Sequence, residues 1–265
     1  MQRILITAIF FSLVTSISAQ EDVSEAKWQS TPVVIDGHDA EWNPPFNLFD
    51  NKTGLIFTIT NDKKNLYFCF TENEEMKAEK IMKAGWSIEL SSSEKKRKFD
   101  ASIIFPKIED PNINMRADFK NQVSYYKMDL TAIKTKGFLS NSGDVPLINK
   151  DGVSIGIGSE NDQKLIYEIV IPIKDLMEED KLQLNELITL DVTVNALSKP
   201  ASPAGATEGS VRGGGGGGRM GGGGRMGGGR RGGGSSAQSD NTASDRTAIF
   251  DKVSFKQKFR LTKNV

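Results

Sequence analysis

Short apolar runs separated by polar turns dominate the pattern along the chain. The runs at 55–60 (LIFTIT) and 66–71 (LYFCFT) flank a polar turn, and this arrangement predicts a β-hairpin. The second run is apolar on both faces, so we expect a central strand covered by a second layer. Further strands are predicted at 86–90, 99–105, 153–158, 164–171 and 187–197, near Ile133, and at the C-terminal end around Val253, Phe255, Phe259 and Leu261.

Helical patterns are rare in this sequence. One short helix is predicted over 74–84, where Glu and Lys dominate and Gly85 fits a C-terminal cap. Residues 107–124 are polar and irregular, and 173–177 has room for one helical turn. Roughly eight to ten short strands with a single helix predict an all-β fold, an antiparallel β-sandwich.

A low-complexity insert at 200–245 separates the last two predicted strands. Its centre reads RGGGGGGRMGGGGRMGGGRRGGG and contains no aromatic residue. Such a segment cannot bury enough apolar surface to offset the entropy of ordering, so we expect a flexible, disordered loop. The strand that follows must pair back into the sheet. Residues 20–199 and 246–265 are therefore predicted to form a single sandwich domain.

The N-terminal residues 1–19 have the pattern of a secretory signal peptide. Arg3 is followed by an apolar run, and Ala19 before Gln20 fits a cleavage site. The alternative is a retained N-terminal anchor, but the run is shorter than the roughly 20 apolar residues that a membrane-spanning helix needs. We expect an exported protein, in the periplasm, at the cell surface or outside the cell, with no transmembrane segment after signal cleavage.

Charge and cysteine content narrow the function classes. Lysine plus arginine and aspartate plus glutamate both total 34, and the insert holds more arginine than carboxylate, so the remaining chain is mildly acidic. A mildly acidic domain has no electrostatic footprint for nucleic acid. Cys69 is the only cysteine, which excludes an intrachain disulfide, and its apolar strand indicates a buried small side chain. His38 is the only histidine, and no motif places it beside a nucleophile.

The segment 33–42 (VVIDGHDAEW) is the most distinctive motif. Its Asp-Gly pair is a turn signal, and Trp42 is an apolar anchor after the turn. Asp36, Asp39 and Glu41 place three carboxylates close together, a donor set that can hold calcium. The alternative, which we favour for Asp36, is a turn in which the aspartate side chain bonds its own backbone.

Four segments in order carry a resemblance to a known family. They are VVIDGHDAEW at 33–42, NLYFCFTENE at 65–74, KIMKAGWSIEL at 80–90 and LIYEIVIPIKDL at 165–176. Their order and wording resemble family 9 carbohydrate-binding modules and their DOMON-like relatives over most of residues 30–197. The resemblance implies a β-sandwich, a sugar held between aromatic side chains and, in some members, bound calcium. The matching residues are mainly structural: Ile35, Asp36, Gly37, Trp42, Leu66, Tyr67, Glu168, Ile171 and Pro172.

Aromatic residues outside those structural positions are the candidates for contact with a sugar. Trp86 opens a predicted strand and also fits a core position. Tyr125 and Tyr126 lie beside the irregular stretch and are candidate platforms. We therefore expect an exported, non-catalytic module that binds a polysaccharide or oligosaccharide, with calcium as the candidate ion.

Three other function classes are kept beside this expectation. The first is a structural or protein-interaction sandwich that has no sugar site and uses the Arg-Gly insert as a contact surface. The second is a glycoside hydrolase, which needs two placed carboxylates. Glu168 lies in an apolar strand, where an acid is expected to face solvent on the unpacked side. The third is a haem-binding sandwich with Met and His ligands, since the chain has His38 and eight Met but no c-type attachment motif.

Overall fold

The computed structural model describes residues 23–42, 46–92, 98–107, 119–140, 142–160, 164–177, 186–198 and 249–263. The predicted signal peptide (1–19) and insert (200–245) lie outside the described residues. Within the described part of the chain, thirteen strands form two sheets that pack on a common core, and this confirms the all-β sandwich. No helix in this part is long and apolar enough to cross a membrane.

The strands alternate with only a few helical segments along the described chain. In chain order the strands are β1 (Val23–Glu25), β2 (Lys27–Trp28), β3 (Leu48–Phe49), β4 (Ile56–Asn61), β5 (Asn65–Glu72), β6 (Trp86–Ser92), β7 (Asp100–Phe105), β8 (Ala132–Lys136), β9 (Gly143–Pro146), β10 (Ser154–Glu160), β11 (Lys164–Pro172), β12 (Ile188–Val194) and β13 (Val253–Arg260). The helices are α1 (Glu75–Ala84), α2 (Phe119–Asp129) and α3 (Ile173–Leu176), and Ala40–Trp42 forms a 3-10 turn.

One sheet has seven strands in the order β1-β13-β12-β6-β7-β8-β9. All of its pairs are antiparallel except β1 with β13. In β6 and β12 every second side chain is buried, and the residues between them are half-buried or exposed. This alternation is typical of a sheet with one face on the core and one towards solvent.

The other sheet is covered on both faces. Its order is β10-β11-β5-β4, with β2 and β3 both pairing with β4, and the β2 pairing is parallel. Nearly every residue of β5 and β11 is buried. The predicted hairpin at 55–71 is therefore β4–β5, and β5 is the central strand that the sequence indicated.

The helices differ from the prediction in number. The predicted helix is α1, and Gly85 ends it with a φ of 73° while its N–H donates to Ile81 O at 3.1 Å. The expectation of one helix was incomplete because α2 begins in the stretch that we expected to be irregular. The face of α2 that carries Gln122, Val123 and Tyr126 is buried against the sandwich.

The main core fills the space between the sheets. Aromatic side chains dominate it, and the largest fully buried ones include Trp86, Tyr126, Tyr167, Phe68 and Phe105. Burying each such side chain contributes about 1.5–3 kcal/mol. A second, smaller cluster lies on the outer face of the six-stranded sheet, under the segment that contains the 33–42 motif.

The chain leaves the seven-stranded sheet before the insert and re-enters it after the insert at neighbouring positions. The N–H of Leu197 donates to the carbonyl of Ile249 at 3.1 Å, just beyond the paired strands β12 and β13. The insert therefore connects two neighbouring, hydrogen-bonded ends of a single hairpin.

Candidate functional site

The 33–42 motif lies against the outer face of the six-stranded sheet with its backbone in very close approach. A Cβ atom on Gly158 of β10 would come within 2.0 Å of the Gly37 carbonyl oxygen. A Cβ atom on Gly37 would meet the Ile157 carbonyl at 2.6 Å, and Gly37 has a φ of 92°. The contact thus requires glycine on both sides.

Glu168 of β11 holds this segment in place through three hydrogen bonds. Its Oε2 accepts the N–H groups of Asp36 at 2.8 Å and Gly37 at 2.5 Å, and its Oε1 accepts the indole N–H of Trp42 at 2.6 Å. The Glu168 side chain is fully buried, so the expectation that it faces solvent was wrong. Burial raises its pKa, and the three hydrogen bonds oppose that rise.

Trp42 closes a small apolar layer beneath the motif. It packs edge-on against Tyr67 with ring centroids 6.3 Å apart, and Cys69 and Ile166 are buried with it. Trp42 is thus the anchor that the sequence predicted. Cys69 is also the predicted buried side chain, and burial raises the pKa of its thiol well above its ordinary value.

The three carboxylates predicted for calcium do not stay together. Carboxylate oxygens of Asp36, Glu41 and Glu168 lie within 4.8 Å of one another, so the structure substitutes Glu168 for Asp39. Asp39 instead forms an ion pair with Lys164, which also contacts Glu160. Burial by itself would lower the Lys164 pKa, but the hydrogen bond to Asp39 raises it overall.

The oxygens of this carboxylate group differ in whether they already accept hydrogen bonds. Calcium takes six to eight oxygen ligands. The Glu168 oxygens already accept N–H groups, and Asp36 Oδ1 accepts the N–H of His38 at 2.9 Å. That last bond is the Asp36 turn that we favoured from the sequence. Glu41 Oε2 is buried without a hydrogen-bond partner among the described residues, so it is one oxygen of the group that is open to a ligand.

Two of the three aromatic candidates meet in the core, beneath α2. Trp86 stacks on Phe105 with centroids 4.5 Å apart and an interplanar angle of 9°, and it meets Tyr167 edge-on at 4.8 Å. Tyr126 also meets Tyr167 edge-on, with ring centroids 6.5 Å apart. Trp86 and Tyr126 are each at most 1 % exposed, so neither is an open platform. Tyr125 lies within α2, but its side chain is outside the part of the chain that the structure describes.

This group, which we call the aromatic cluster (Trp86, Phe105, Tyr126 and Tyr167), contains three buried polar groups that lie together. The Tyr167 hydroxyl interacts with the Tyr126 hydroxyl and with the Trp86 indole N–H, but among the described residues none of these atoms has a partner in full hydrogen-bond geometry. Burial raises the pKa of Tyr126 to about 12 and raises that of Tyr167 well above its ordinary value. Both phenols therefore stay protonated. Tyr167 was not among the residues predicted from the sequence. Its strand is apolar on both faces, and a hydroxyl buried in such a strand needs a hydrogen-bond partner.

The solvent face of the seven-stranded sheet provides no aromatic platform in its central strands. The outward positions of β6, β7 and β12, as the alternating burial and the register define them, are Ser87, Glu89, Ser91, Asp100, Ser102, Ile104, Thr189, Asp191 and Thr193. These side chains can donate and accept hydrogen bonds, but they offer no ring face for stacking on a sugar.

Comparison with known proteins adds no relative to this picture. No protein-family model, curated protein or solved structure matches the chain. The residues that carry the resemblance nevertheless meet in space, because Asp36, Gly37 and Trp42 all bond to Glu168. Their contacts here are those of a structural fastening on the outside of the sheet.

Proposed function

We propose that this chain is an exported, non-catalytic binding module of the carbohydrate-binding type, and that its ligand is a glycan. The ordered motifs and the two-sheet sandwich support the class of module. The observation that carries the choice of ligand is the aromatic cluster, in which packed rings surround one N–H and two O–H groups that satisfy one another only in part. Sugars combine these needs, because their C–H faces stack on rings and their hydroxyls require hydrogen bonds.

The cluster carries an energetic cost that a ligand would remove. A buried polar group without a partner costs about 1–3 kcal/mol, and a group in poor hydrogen-bond geometry costs part of that amount. Trp86, Tyr126 and Tyr167 bring three polar groups together that interact with one another but not in full hydrogen-bond geometry. A ligand hydroxyl that accepts from the indole and bonds both phenols would offset that cost. A single buried water is the competing explanation, because waters commonly satisfy such groups.

A ligand would reach the cluster by displacing α2. Tyr126 is part of this helix, and the same buried face carries Val123 and Gln122. Binding then selects a state in which α2 is lifted, so the apparent affinity is reduced by the rarity of that state. We expect slow association and a strong effect of any substitution that loosens this face.

The experiment is thermal unfolding of the mature protein with a panel of neutral sugars, with calcium and with chelator. A ligand at 100 times its dissociation constant adds about 2.7 kcal/mol to the unfolding free energy, which such a measurement resolves. Tyr126→Phe removes one hydroxyl of the cluster and keeps the ring. Tyr67→Phe is the matched control, since the hydroxyl of Tyr67 bonds Asp62 at 2.7 Å outside the cluster.

The outcomes separate the explanations. A sugar shift that Tyr126→Phe abolishes and Tyr67→Phe retains supports the proposal. The absence of a shift with every sugar, together with a Tyr126→Phe variant that is less stable than the parent, assigns the cluster to a buried water and rejects glycan binding there. A shift with calcium alone assigns the ion to the Asp36, Glu41 and Glu168 carboxylates and leaves the glycan unsupported.

A second candidate function is a protein-interaction sandwich without a sugar site. The observation that favours it is the polar solvent face of the seven-stranded sheet, where Lys256 pairs with Asp191 at 2.6 Å in a row that continues to Glu89. The insert, with its arginines, starts at the β12–β13 end of the same sheet. A sugar panel without effect, combined with loss of partner capture on deletion of 200–245, would favour this function. A reducing-sugar assay on several polysaccharides tests the hydrolase alternative. Turnover no higher than that of the blank would exclude this alternative.

A further inference from the structure

A buried carboxylate lies where the chain passes from β5 into α1. Glu72 is the last residue of β5 and is only 3 % exposed. Its Oε1 accepts the N–H of Glu74 at 2.8 Å, at the start of the helix. Its Oε2 is buried and has no hydrogen-bond partner among the described residues. Burial therefore favours the protonated form of Glu72, and the ionised form needs a cation or water at Oε2.

The side chain of Lys77, in the first turn of α1, passes beside this oxygen. Gly54 ends the turn at 50–54 with a φ of 80°, and a Cβ atom there would collide with Glu72 Oε2 and with Lys77 Cδ, the latter at 2.7 Å. The oxygen and the lysine stem thus border the same small space. Only two bonds separate Cδ from the ammonium nitrogen of a lysine, so rotation about them can bring Nζ to Oε2 while the helix stays in place.

The Lys77 ammonium pairs with a different carboxylate in this structure. Its Nζ lies 2.7 Å from Glu74 Oε2, and the two side chains are 34 % and 43 % exposed. An ion pair with this exposure contributes little to stability, because water competes for both partners. A carboxylate that is shielded from water forms a stronger, charge-assisted hydrogen bond with an ammonium group. An ionised Glu72 would therefore draw the Lys77 ammonium away from Glu74.

The elements that meet at Glu72 carry several other charged groups. These are Asp50 and Lys52 in the turn, Glu74, Glu75 and Lys77 at the start of α1, and Lys164 on the paired strand β11. Burial has the largest effect and raises the pKa of Glu72 to about 7, while Lys77 lowers it and Glu74 raises it. Lys164 is engaged with Asp39. The Glu72 proton is therefore exchanged near neutral pH, and Lys77 is the cation whose charge acts on it.

We propose that Glu72 and Lys77 form a pH-sensitive switch at the start of α1. In the acidic form Glu72 is protonated and Lys77 pairs with Glu74. In the basic form Glu72 has released its proton to solvent, and the Lys77 ammonium has moved from Glu74 Oε2 to Glu72 Oε2.

The switch would change the surface next to it. Glu74 and Lys77 both line a small cleft between α1 and the end of the β12–β13 hairpin. In the acidic form this wall carries an ion pair, and in the basic form it carries the Glu74 carboxylate without that lysine. The switch is separate from the aromatic cluster and does not depend on the proposed function.

The test is an NMR titration of the mature protein between about pH 5 and about pH 9, which follows the Glu72 carboxyl carbon and the Lys77 ε-carbon. Lys77→Met removes the ammonium and keeps an apolar stem. Glu72→Gln removes the group that titrates. Lys83 is the internal control, because it lies on the same helix and pairs with Glu79.

We expect the Lys77 resonance of the parent to change with the same midpoint as Glu72, near pH 7, and its ε-methylene NOE to pass from Glu74 to Glu72. The change at Lys77 should disappear in Glu72→Gln, and the Lys83 resonance should stay constant. Lys77→Met should raise the Glu72 midpoint by about one pH unit or more.

Two results would overturn the proposal. One is an NOE from Lys77 that stays with Glu74 after Glu72 has ionised, since water would then have reached Oε2 in place of the ammonium. The other is a Glu72 midpoint that lies near the ordinary value of 4.5 or that Lys77→Met leaves unchanged.

Discussion

Replacement of the buried Glu72 by glutamine should remove a large part of the pH dependence of folding stability. Glu72 is the last residue of β5, just before α1, and it is 3 % exposed. Its Oε1 accepts the N–H of Glu74 at 2.8 Å, and its Oε2 has no partner among the described residues. Burial raises the pKa of Glu72 from 4.5 to about 7. The hydrogen bonds to the helix start and the charge of Lys77 lower it, and the charge of Glu74 raises it.

The direction of the pH dependence follows from whether the folded or the unfolded chain holds the Glu72 proton. Below pH 4.5 both the folded and the unfolded chain hold the Glu72 proton, so its contribution to stability is fully present. Between pH 4.5 and about 7 the unfolded chain loses the proton while the folded protein keeps it, so the free energy of unfolding falls as pH rises. Since one pKa unit corresponds to about 1.36 kcal/mol, the loss across this window is about 3 kcal/mol.

Glutamine fits this position without a new conflict. Its carbonyl oxygen can keep accepting the Glu74 N–H, and its NH₂ group takes the place of the oxygen that has no partner. The variant cannot ionise, so the desolvation cost disappears above neutral pH. We therefore expect Glu72→Gln to be more stable than the parent at pH 8 and of similar stability near pH 4.5.

The assay is urea unfolding of the mature chain at pH 4.5, 5.5, 6.5 and 8. The control is Glu75→Gln, an exposed carboxylate in the first turn of the same helix, which should follow the parent at every pH. The difference in unfolding free energy between Glu72→Gln and the parent should grow by about 3 kcal/mol between the lowest and highest pH. Profiles that run parallel within 1 kcal/mol would refute the reasoning.

Three further perturbations test the fastening of the motif and the stem of the insert. Glu168→Gln should lower the unfolding free energy by about 1–3 kcal/mol in urea, because one amide oxygen cannot accept all three N–H groups, while the exposed Glu89→Gln changes it by less than about 0.5 kcal/mol. Gly158→Ala should cost at least about 1–3 kcal/mol by thermal melting, since its Cβ would lie 2.0 Å from Gly37 O, and an unchanged melting temperature would contradict that contact. Deletion of 200–245 should leave stability equal or raise it by up to about 2 kcal/mol, because it shortens the connection between hydrogen-bonded ends, and unfolding of the variant would show that the insert is required.

Local sequence patterns were sufficient to predict the strands that carry a regular apolar pattern of their own. The hairpins β4–β5, β6–β7 and β10–β11 each combine an apolar period with a polar turn, and all three formed where the sequence predicted. The strands β1, β2, β3 and β9 were not predicted. Each is short, and β1 exists only through its parallel pairing with β13 at the far end of the chain. Such pairings depend on the distant partner and leave no local signal.

The helix α2 was hidden by polar residues at core positions. Its buried residues Gln122, Val123 and Tyr126 have helical spacing, but two of the three carry polar groups. A reading by hydrophobic periodicity therefore finds no apolar stripe. Helix formation there depends on burial against the sandwich more than on the intrinsic pattern.

The carboxylate group was predicted from residues that are close in sequence. In the structure the carboxylates that lie together are Asp36, Glu41 and Glu168, and the last of these is distant in sequence. Asp36 and Glu168 are separated by 132 positions, yet they share a hydrogen bond, while Asp39 turns to Lys164. One signal was available. Glu168 is the single acid in a run that is apolar on both faces, and a charge in such a strand must be paired because burial without partners is too costly.

The residues of the family resemblance and the residues that we propose for ligand contact lie on opposite faces of one strand. Neighbouring side chains of a strand point to opposite sides, so Glu168 fastens the motif on the outside of β11 while Tyr167 enters the aromatic cluster inside. The motif therefore explains why a sandwich of this shape forms, and it can be retained for that reason in modules with different ligands. In our proposal the choice of ligand rests with residues outside the motif, in the aromatic cluster. A change of ligand in such a fold needs no change in the segments that made the resemblance visible.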